Sequence, residues 1–231
     1  MQYTWLLFDA DGTLLAYDGA EEEALQNVFA YYQLPFSSEV GEAYKRINQA
    51  MWKRLEEHSI KLMELRWQRF ADLFDEFGIA QDAVEFSRMY LHYLGQAAHL
   101  IPGSLEVLEQ LHGKFNLAII TNGITEVQLS RIRISGLDRF FPHVFTSEAL
   151  GVFKPASGFF EVVFEEIGQP AKENVLVIGD SLSSDIAGGV GYGLDTCWYN
   201  PRGEQDKYSY PITYEIREMV DLLDLLQIER P

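Results

Sequence analysis

The amino-acid sequence predicts an α/β fold, in which a doubly wound parallel sheet carries an inserted all-helical subdomain. Two observations support this prediction. Short apolar runs of strand length alternate with helical patterns over most of the chain. The first two runs are separated by about 100 residues, whereas a crossover between parallel strands needs only about a dozen or more.

Four apolar runs have the length of β-strands: YTWLLFD, FNLAIIT, NVLVIGD and DTCWYN. They are continuously apolar rather than alternating, which is typical of strands buried on both faces in a parallel sheet covered by helices. Most of them end in a polar residue followed by Gly or Ser. Sheets of this kind bind their ligands at the carboxyl ends of the strands, so we expect the functional residues there.

Helical spacing appears in two stretches of the C-terminal half, where apolar residues recur at i, i+3, i+4 and i+7. They are Phe160, Val163, Phe164 and Ile167 in the first stretch, and Ile216, Met219, Val220 and Leu223 in the second. Gly168 is placed to end the first helix. The second stretch predicts a helix near the C-terminus.

The long first crossover is predicted to be helical because it contains three apolar stripes. The stripes are Leu25, Val28, Phe29 and Tyr32; Trp67, Phe70, Phe74 and Phe77; and Phe86, Tyr90 and Leu94. We therefore expect a core domain of residues 1–14 and 100–231 and a helical subdomain of residues 15–99. The subdomain should lie over the carboxyl ends of the strands.

Charge and composition exclude several classes of partner. The 231 residues include 18 Lys and Arg against 35 Asp and Glu, a net charge of −17, which argues against a nucleic-acid polymer or an anionic membrane. No apolar run is long enough for a membrane span, and the N-terminus lacks a signal-peptide pattern. The single cysteine, Cys197, fits a reducing compartment. We expect a cytoplasmic monomer or homodimer that binds a small molecule. This molecule can carry a phosphate, because a basic group or a metal can reverse the negative electrostatic potential within one pocket.

The first apolar run ends in two acids, Asp9 and Asp11, followed by Gly12. Residues i and i+2 of an extended chain point the same way, so both carboxylates should face one site. Paired oxygen ligands without His or Cys suit Mg²⁺. A calcium loop is excluded because Gly12 is fourth rather than sixth and Ala20 occupies the position of the bidentate Glu. A helix cap uses one acid at most, so the pair alone leaves metal binding and capping both open.

Two further stretches contain residues that suit an anion. LAIITNG places Thr121 and Asn122 at the tip of a strand, where a hydroxyl, an amide and free N–H groups can bind an anion, although a Thr/Asn cap would explain them equally. In GVFKP, Lys154 precedes Pro155, which favours an extended backbone. That backbone could direct the ammonium at a phosphate, whereas an exposed loop lysine is the usual case.

The stretch VLVIGDSLSSD gives a stronger indication. Asp180 ends a buried strand as Asp9 does, and Asp185 follows five residues later. An acid at the tip of a neighbouring strand can complete a metal site. The alternative, that Asp180 only caps the next helix, is the less favoured of the two.

Taken in this order, the four stretches resemble the motifs of the haloacid dehalogenase (HAD)-like hydrolase superfamily. DADGT is similar to its first motif, Thr121 to its second, Lys154 to its third and GDSLSSD to its fourth, while the helical insert resembles its C1 cap. Four motifs in order are far more specific than any one of them. The resemblance implies a Rossmann-like core.

The resemblance also implies a role for each acid. Asp9 would attack phosphorus and form an aspartyl-phosphate, and Asp11 would protonate the leaving oxygen and then activate water. Mg²⁺ would be bound by Asp9, the backbone carbonyl of Asp11 and Asp180. Asp185 would orient these ligands. Members that act as dehalogenases lack the second acid and need no metal, so Asp11 and Asp180 argue for phosphoryl transfer.

The same resemblance assigns the phosphate site. Thr121, the backbone of Asn122 and Lys154 would hold the remaining phosphoryl oxygens. A carboxylate can approach a phosphate dianion only if a metal and an ammonium screen the repulsion, which agrees with this set of residues.

The substrate is predicted from a narrower resemblance. NQAMWKRLEEHSI, TNGITEVQLSRIRISGLDRFF and SEALGVFKP look like the group that hydrolyses pyrimidine 5′-monophosphates. Four aromatic residues of the insert could stack a base, although such residues at helical spacing are more often core: Phe36, Tyr44, Trp52 and Trp67. The alternatives are a phosphoglycolate or sugar-phosphate phosphatase and, in another class, a regulatory module that binds phosphate and metal without turnover.

Overall fold

The computed structural model describes residues 3–57 and 59–230. Within these residues six parallel strands form one sheet in the spatial order β3-β2-β1-β4-β5-β6. The strands are β1 (Trp5–Phe8), β2 (Asn116–Thr121), β3 (His143–Thr146), β4 (Val175–Gly179), β5 (Asp195–Tyr199) and β6 (Tyr214–Ile216). This is the Rossmann order, and the predicted doubly wound α/β fold is confirmed.

Helices precede or follow most of these strands. They are α1 (Tyr17–Tyr31), α2 (Ser38–Glu56), α3 (Leu62–Phe77), α4 (Ala83–Gln96), α5 (Ser104–Leu111), α6 (Thr125–Ile134), α7 (Ser147–Leu150), α8 (Ser157–Glu166), α9 (Ala187–Tyr192) and α10 (Asp221–Leu225). A π-helical turn, Leu182–Ile186, directly precedes α9. None of the helices in the described residues is both long and apolar enough to cross a membrane.

The chain divides into two compact units. One consists of Met1–Tyr17 and Ala98–Pro231, and the other of Asp18–Ala97. The first unit contains the sheet, and the second contains the helical insert.

Strand β1 lies at the centre of the sheet and determines the position of the site. It pairs in parallel with β2 on one side and with β4 on the other, so that Phe8 lies opposite both Ile119 and Ile178. Asp9 continues the pairing beyond the strand, because its N–H donates to the carbonyl of Ile178 over 2.8 Å. The order of connections reverses between β1 and β4, and this switch point is where such sheets bind ligands.

Both faces of the sheet are covered by apolar side chains. Leu6 and Phe8 belong to one buried cluster and Leu7 to the other, as the alternation of side chains along a strand requires. This two-sided burial explains why the strand sequences are continuously apolar. The four predicted runs are β1, β2, β4 and β5.

The predicted helix through Ile216 is wrong. Ile216 lies in strand β6, and the helical segment that follows, α10, begins only at Asp221. Tyr214 and Ile216 turn inward while Glu215 between them is exposed, which is the period-2 pattern of a strand. The apolar residues on both sides of this boundary pack into one cluster, and their spacing imitated a helical stripe by chance.

The helical unit has an aromatic core. The ring of Phe70 lies 5.1 Å from the rings of Phe86 and Tyr90 and 5.3 Å from the ring of Tyr44, measured between centroids. All four side chains are fully buried. Tyr44 is therefore a core residue of this unit.

A chain of buried polar groups lies beside these rings. The guanidinium of Arg69 lies 5.2 Å from the centroid of Phe70 and donates to Oδ1 of Asn48 over 2.8 Å. Asn48 in turn donates to Oε1 of Glu21 over 2.6 Å. The cation–π contact and these hydrogen bonds offset the cost of burying charge within the unit.

Phe86→Ala should destabilise the helical unit by about 3–5 kcal/mol, because it opens a cavity in a closely packed aromatic cluster. The matched control is Val84→Ala on the same helix, where the side chain is 58% exposed and the expected change is within about 0.5 kcal/mol. Urea unfolding followed by circular dichroism measures both. Equal midpoints for the two variants would contradict the assignment of Phe86 to the core.

Candidate active site

The carboxyl ends of β1 and β4 bring three carboxylates together. Asp9 follows β1, Asp180 follows β4, and Asp185 lies in the π-helical turn. One carboxylate oxygen from each residue lies within 4.8 Å of those from the other two. Asp9 and Asp185 are buried, so these charges have little contact with water.

The ammonium of Lys154 lies among these acids. Its Nζ donates to Oδ1 of Asp9 over 2.8 Å, to Oδ1 of Asp185 over 2.6 Å and to the carbonyl of Ile120 over 2.7 Å. These three bonds use all three donors of the ammonium. Lys154 is only 1% exposed, so it is a buried ion-pair partner rather than a surface lysine.

Asn122 fixes the backbone of Lys154. Its Nδ2 donates to the carbonyl of Lys154, and the N–H of Lys154 donates to its Oδ1, each over 2.9 Å. The sequence predicts an anion-binding role for the backbone of Asn122 but gives no sign of this side-chain pairing, because the two residues are 32 positions apart. Thr121, at the tip of β2, is buried, and its Oγ1 accepts from the N–H of Gly123 over 3.0 Å.

The Asp11 carboxylate has different partners from Asp9. Oδ2 accepts a hydrogen bond from Nε2 of Gln128, and Oδ1 accepts one from Nη1 of Arg131. Both partners lie on α6 and are buried. Sequence reasoning missed them; their spacing of three residues, which places them on one helix face, was the available signal.

Two glycines make room for the acids. A Cβ at Gly12 would collide with the Asp180 carboxylate, and a Cβ at Gly179 would collide with that of Asp185. Gly12 also has φ +86°, a left-handed conformation that favours glycine. The turn after β1 and the end of β4 are thus shaped around these carboxylates.

Two hydrogen bonds hold Asp180 in place. Thr13 donates from Oγ1 to its Oδ1 over 3.3 Å, and the indole Nε1 of Trp198 donates to its backbone carbonyl over 2.9 Å. Trp198 lies on the neighbouring strand β5. Asp180 is thereby connected to β5 and to the loop that follows β1.

Burial, followed by excess negative charge, determines the electrostatics of the cluster. Burial and the nearby charge of Asp185 raise the pKa of Asp9 well above its usual range, although Lys154 opposes this shift. Burial and Asp185 also raise the pKa of Asp180 to about 7. Burial alone would lower the pKa of Lys154, but the charges of Asp185 and Asp9 outweigh it and raise that pKa.

This donor set fits a hard divalent cation. Three carboxylates face one ammonium, and the cluster contains oxygen ligands without His or Cys, as Mg²⁺ prefers. Both oxygens of Asp185 already accept hydrogen bonds, from Lys154 and from the N–H of Ser181. Asp9 and Asp180 are therefore the carboxylates best placed to hold a metal, with Asp185 fixing the surroundings.

Comparison with known proteins identifies the family. Residues 3–193 match the family model for haloacid dehalogenase-like hydrolases. The chain belongs to this family. It is therefore a hydrolase by family, and the resemblance predicted from the four motifs is confirmed.

Relatives of this HAD-like hydrolase match it over nearly their whole length. The HAD-hydrolase YfnB of Bacillus subtilis is 39% identical over 228 residues, covering 99% of this chain and 97% of its own. The pyrimidine 5′-nucleotidase PynA of Streptococcus pneumoniae is 39% identical, covering 98% and 96%. The pyrimidine 5′-nucleotidase YjjG of Escherichia coli is 29% identical, covering 98% and 99%. The crystal structure of YfnB bound to magnesium superposes with a TM-score of 0.92 over 99% of this chain and 100% of that one.

Without a divalent metal, this HAD-like hydrolase should be less stable at pH 8 than at pH 5. The pKa of Asp180 rises from 3.8 to about 7 on folding, so the folded state binds this proton more tightly than the unfolded chain. Stability is therefore lost as pH rises between these two values, and the part of this loss that falls between pH 5 and pH 8 is on the order of 3 kcal/mol. A divalent cation such as Mg²⁺, if it binds the ionised carboxylates, should restore stability at pH 8.

Calorimetric Tm values from pH 5 to 8, with EDTA or with Mg²⁺, test this expectation. Asp180→Asn should flatten the pH dependence and weaken the response to Mg²⁺. The control is Asp138→Asn, a change at an exposed acid. Identical pH profiles for the wild type and Asp180→Asn would show that this carboxyl does not control the transition.

Proposed function

We propose that this protein is a Mg²⁺-dependent phosphatase that hydrolyses a small phosphomonoester through an aspartyl-phosphate on Asp9. The observation that carries the proposal is the meeting of Asp9, Asp180, Asp185 and Lys154 at one edge of the sheet. An anionic nucleophile can approach a phosphate dianion only where cations screen the repulsion. The magnesium bound in the relative YfnB supports the choice of metal.

In the first step the Asp9 carboxylate attacks phosphorus. A bond forms between a carboxylate oxygen and phosphorus as the bond from phosphorus to the leaving oxygen breaks. Bound Mg²⁺ supplies positive charge that stabilises the phosphoryl oxygens. Lys154, which holds Oδ1 of Asp9, adds a second positive charge beside the nucleophile.

Asp11 transfers the protons. It gives a proton to the leaving oxygen in the first step and takes one from the attacking water in the second. The water oxygen then bonds to phosphorus, the bond to Asp9 breaks, and inorganic phosphate leaves. Because Asp11 has partners other than those of Asp9, the two acids can perform separate tasks.

The remaining phosphoryl oxygens are assigned to the tip of β2. Thr121 and the backbone N–H of Asn122 lie at this strand end, beside the strand that carries Asp9. Asn122 also holds Lys154, so the lysine and the tip of β2 form one assembly. Donors fixed in this way stabilise charge with little reorganisation.

We propose pyrimidine nucleoside 5′-monophosphates as the substrate class. Support comes from the relatives PynA and YjjG, both of which are pyrimidine 5′-nucleotidases. Among the aromatic candidates of the helical unit, Trp67 is the most exposed, at 36%, and Trp52 and Phe36 are partly exposed. Tyr44 is fully buried and is removed from the candidates.

The net charge of −17 also favours a small molecule over a nucleic-acid polymer. Cytoplasmic location and a monomeric or homodimeric state stay predictions.

Asp9→Asn should abolish Mg²⁺-dependent hydrolysis of p-nitrophenyl phosphate, because an amide cannot form the acyl-phosphate. Asp11→Asn should keep phosphate and metal binding but lower turnover of a nucleotide by about 10²–10⁴-fold. Steady-state kinetics measure both, with Asp138→Asn as the control at an exposed acid. No turnover by the wild type would favour a module that binds phosphate without hydrolysis, whereas full activity in Asp9→Asn would show that Asp9 is not the nucleophile.

A panel of phosphomonoesters tests the substrate class. UMP and TMP should give a higher kcat/KM than AMP, phosphoglycolate or a hexose phosphate. Trp67→Ala should raise KM for UMP, whereas Val84→Ala, at another exposed position of the helical unit, should not. A preference for phosphoglycolate or the hexose phosphate would replace the nucleotidase assignment with the corresponding phosphatase.

A further inference from the structure

We propose that Gln128 and Arg131 of α6 are positioning residues that orient the Asp11 carboxylate for its proton transfers. The inference rests on the proposed function, since it needs Asp11 to be the general acid and base. It adds two residues from another part of the chain to the machinery. They lie 117 and 120 positions from Asp11 in the sequence.

The contacts fix both oxygens of Asp11. Gln128 donates to Oδ2 and Arg131 to Oδ1, so rotation of the carboxylate would break one bond or both. The two donors are 1% and 0% exposed, whereas the Asp11 side chain is 23% exposed. The carboxylate is thus anchored on its buried side and accessible on the other.

Arg131 also anchors the loop that follows Asp11. Its Nη2 donates to the carbonyl of Ala16 over 3.1 Å, so one guanidinium contacts both ends of residues 11–16. Within this loop the N–H of Gly12 donates to the carbonyl of Leu15 over 2.8 Å. Arg131 therefore fixes both the side chain of Asp11 and the loop that follows it.

A purely structural role explains these residues poorly. A buried guanidinium and a buried amide carry desolvation costs that an apolar pair of similar volume would avoid. Among the described residues, Oε1 of Gln128 has no hydrogen-bond partner. A Cβ at Gly123 would collide with the Gln128 amide, so the chain also leaves space for it. The hydrogen bond from its Nε2 to Asp11 is therefore the role that we assign to the Gln128 amide.

The expected consequence concerns the leaving group. A displacement of about 1 Å in a catalytic group can lower a rate by about 10²-fold. Departure of an alkoxide, as from a nucleotide, needs protonation by Asp11, whereas departure of p-nitrophenolate does not. The ratio kcat/KM reports the steps up to departure of the leaving group. Loss of the positioning residues should therefore lower kcat/KM strongly for the nucleotide and only weakly for p-nitrophenyl phosphate.

The test compares Arg131→Lys and Gln128→Met with Arg133→Lys, an exposed arginine of the same helix. For UMP we expect kcat/KM to fall by about 10–100-fold in the first two variants. For p-nitrophenyl phosphate we expect a change of less than about threefold. The control should match the wild type with both substrates. Equal losses with both substrates would overturn the inference, since a general structural defect does not distinguish leaving groups.

A double-mutant cycle gives a second test. In the Asp11→Asn background, Arg131→Lys should lower kcat/KM for UMP by less than about twofold, because it acts through the group already removed. A loss as large as in the wild-type background would overturn the inference. If Arg131→Lys fails to fold, as a thermal melt will show, Gln128→Met carries both tests.

Binding of vanadate with Mg²⁺, measured by calorimetry, separates this inference from the proposed function. The vanadate affinity of Arg131→Lys and Gln128→Met should stay within about threefold of the wild type. A loss of vanadate binding in these variants would place them in the phosphate site and overturn the positioning role. If the wild type lacks turnover that depends on Asp9, the proposed function itself fails, before any variant of α6 is compared.

Discussion

The ion pairs of Lys154 with Asp9 and Asp185 constrain the rest of the core unit. The lysine is 145 residues from Asp9 in the sequence, and it also donates to the carbonyl of Ile120. Its three bonds can form only if β1, β2 and the segment after β4 lie side by side. Because an unpaired buried charge would cost several kcal/mol, the strand order and the loop containing Lys154 must be satisfied together.

The same cluster lowers the stability of the folded chain in a way that the proposed function explains. Three carboxylates lie beside one ammonium, and burial together with this excess negative charge raises the pKa values of Asp9 and Asp180. A core selected only for stability would not keep this arrangement. The arrangement suits the proposed function, in which the site binds a cation and a phosphate. The cation would neutralise the charge of the carboxylates, and the phosphate would neutralise the positive charge of the cation.

The sequence predicts those parts of this structure whose signal is local. Strands buried on both faces are continuously apolar, so β1, β2, β4 and β5 are visible, and Asp9 and Asp180 are found at their tips. The short strands β3 and β6 lack that signal, and Ile216 was misassigned. Gln128 and Arg131 are polar residues in a helix, a pattern typical of an exposed face. Their burial follows only from a contact with Asp11 more than a hundred residues away.

Asp9 and Asp11 are only two residues apart in the sequence, but their carboxylates accept hydrogen bonds from different partners. Asp9 accepts from the ammonium of Lys154 among other carboxylates, while Asp11 accepts from Arg131 on α6. The left-handed turn at Gly12 follows directly and leaves room for Asp180. Two acids of one motif differ in role when their surroundings differ. In this chain those surroundings come from separate elements of the core, so the division of labour proposed for the two acids of DADGT depends on the fold as well as on the motif.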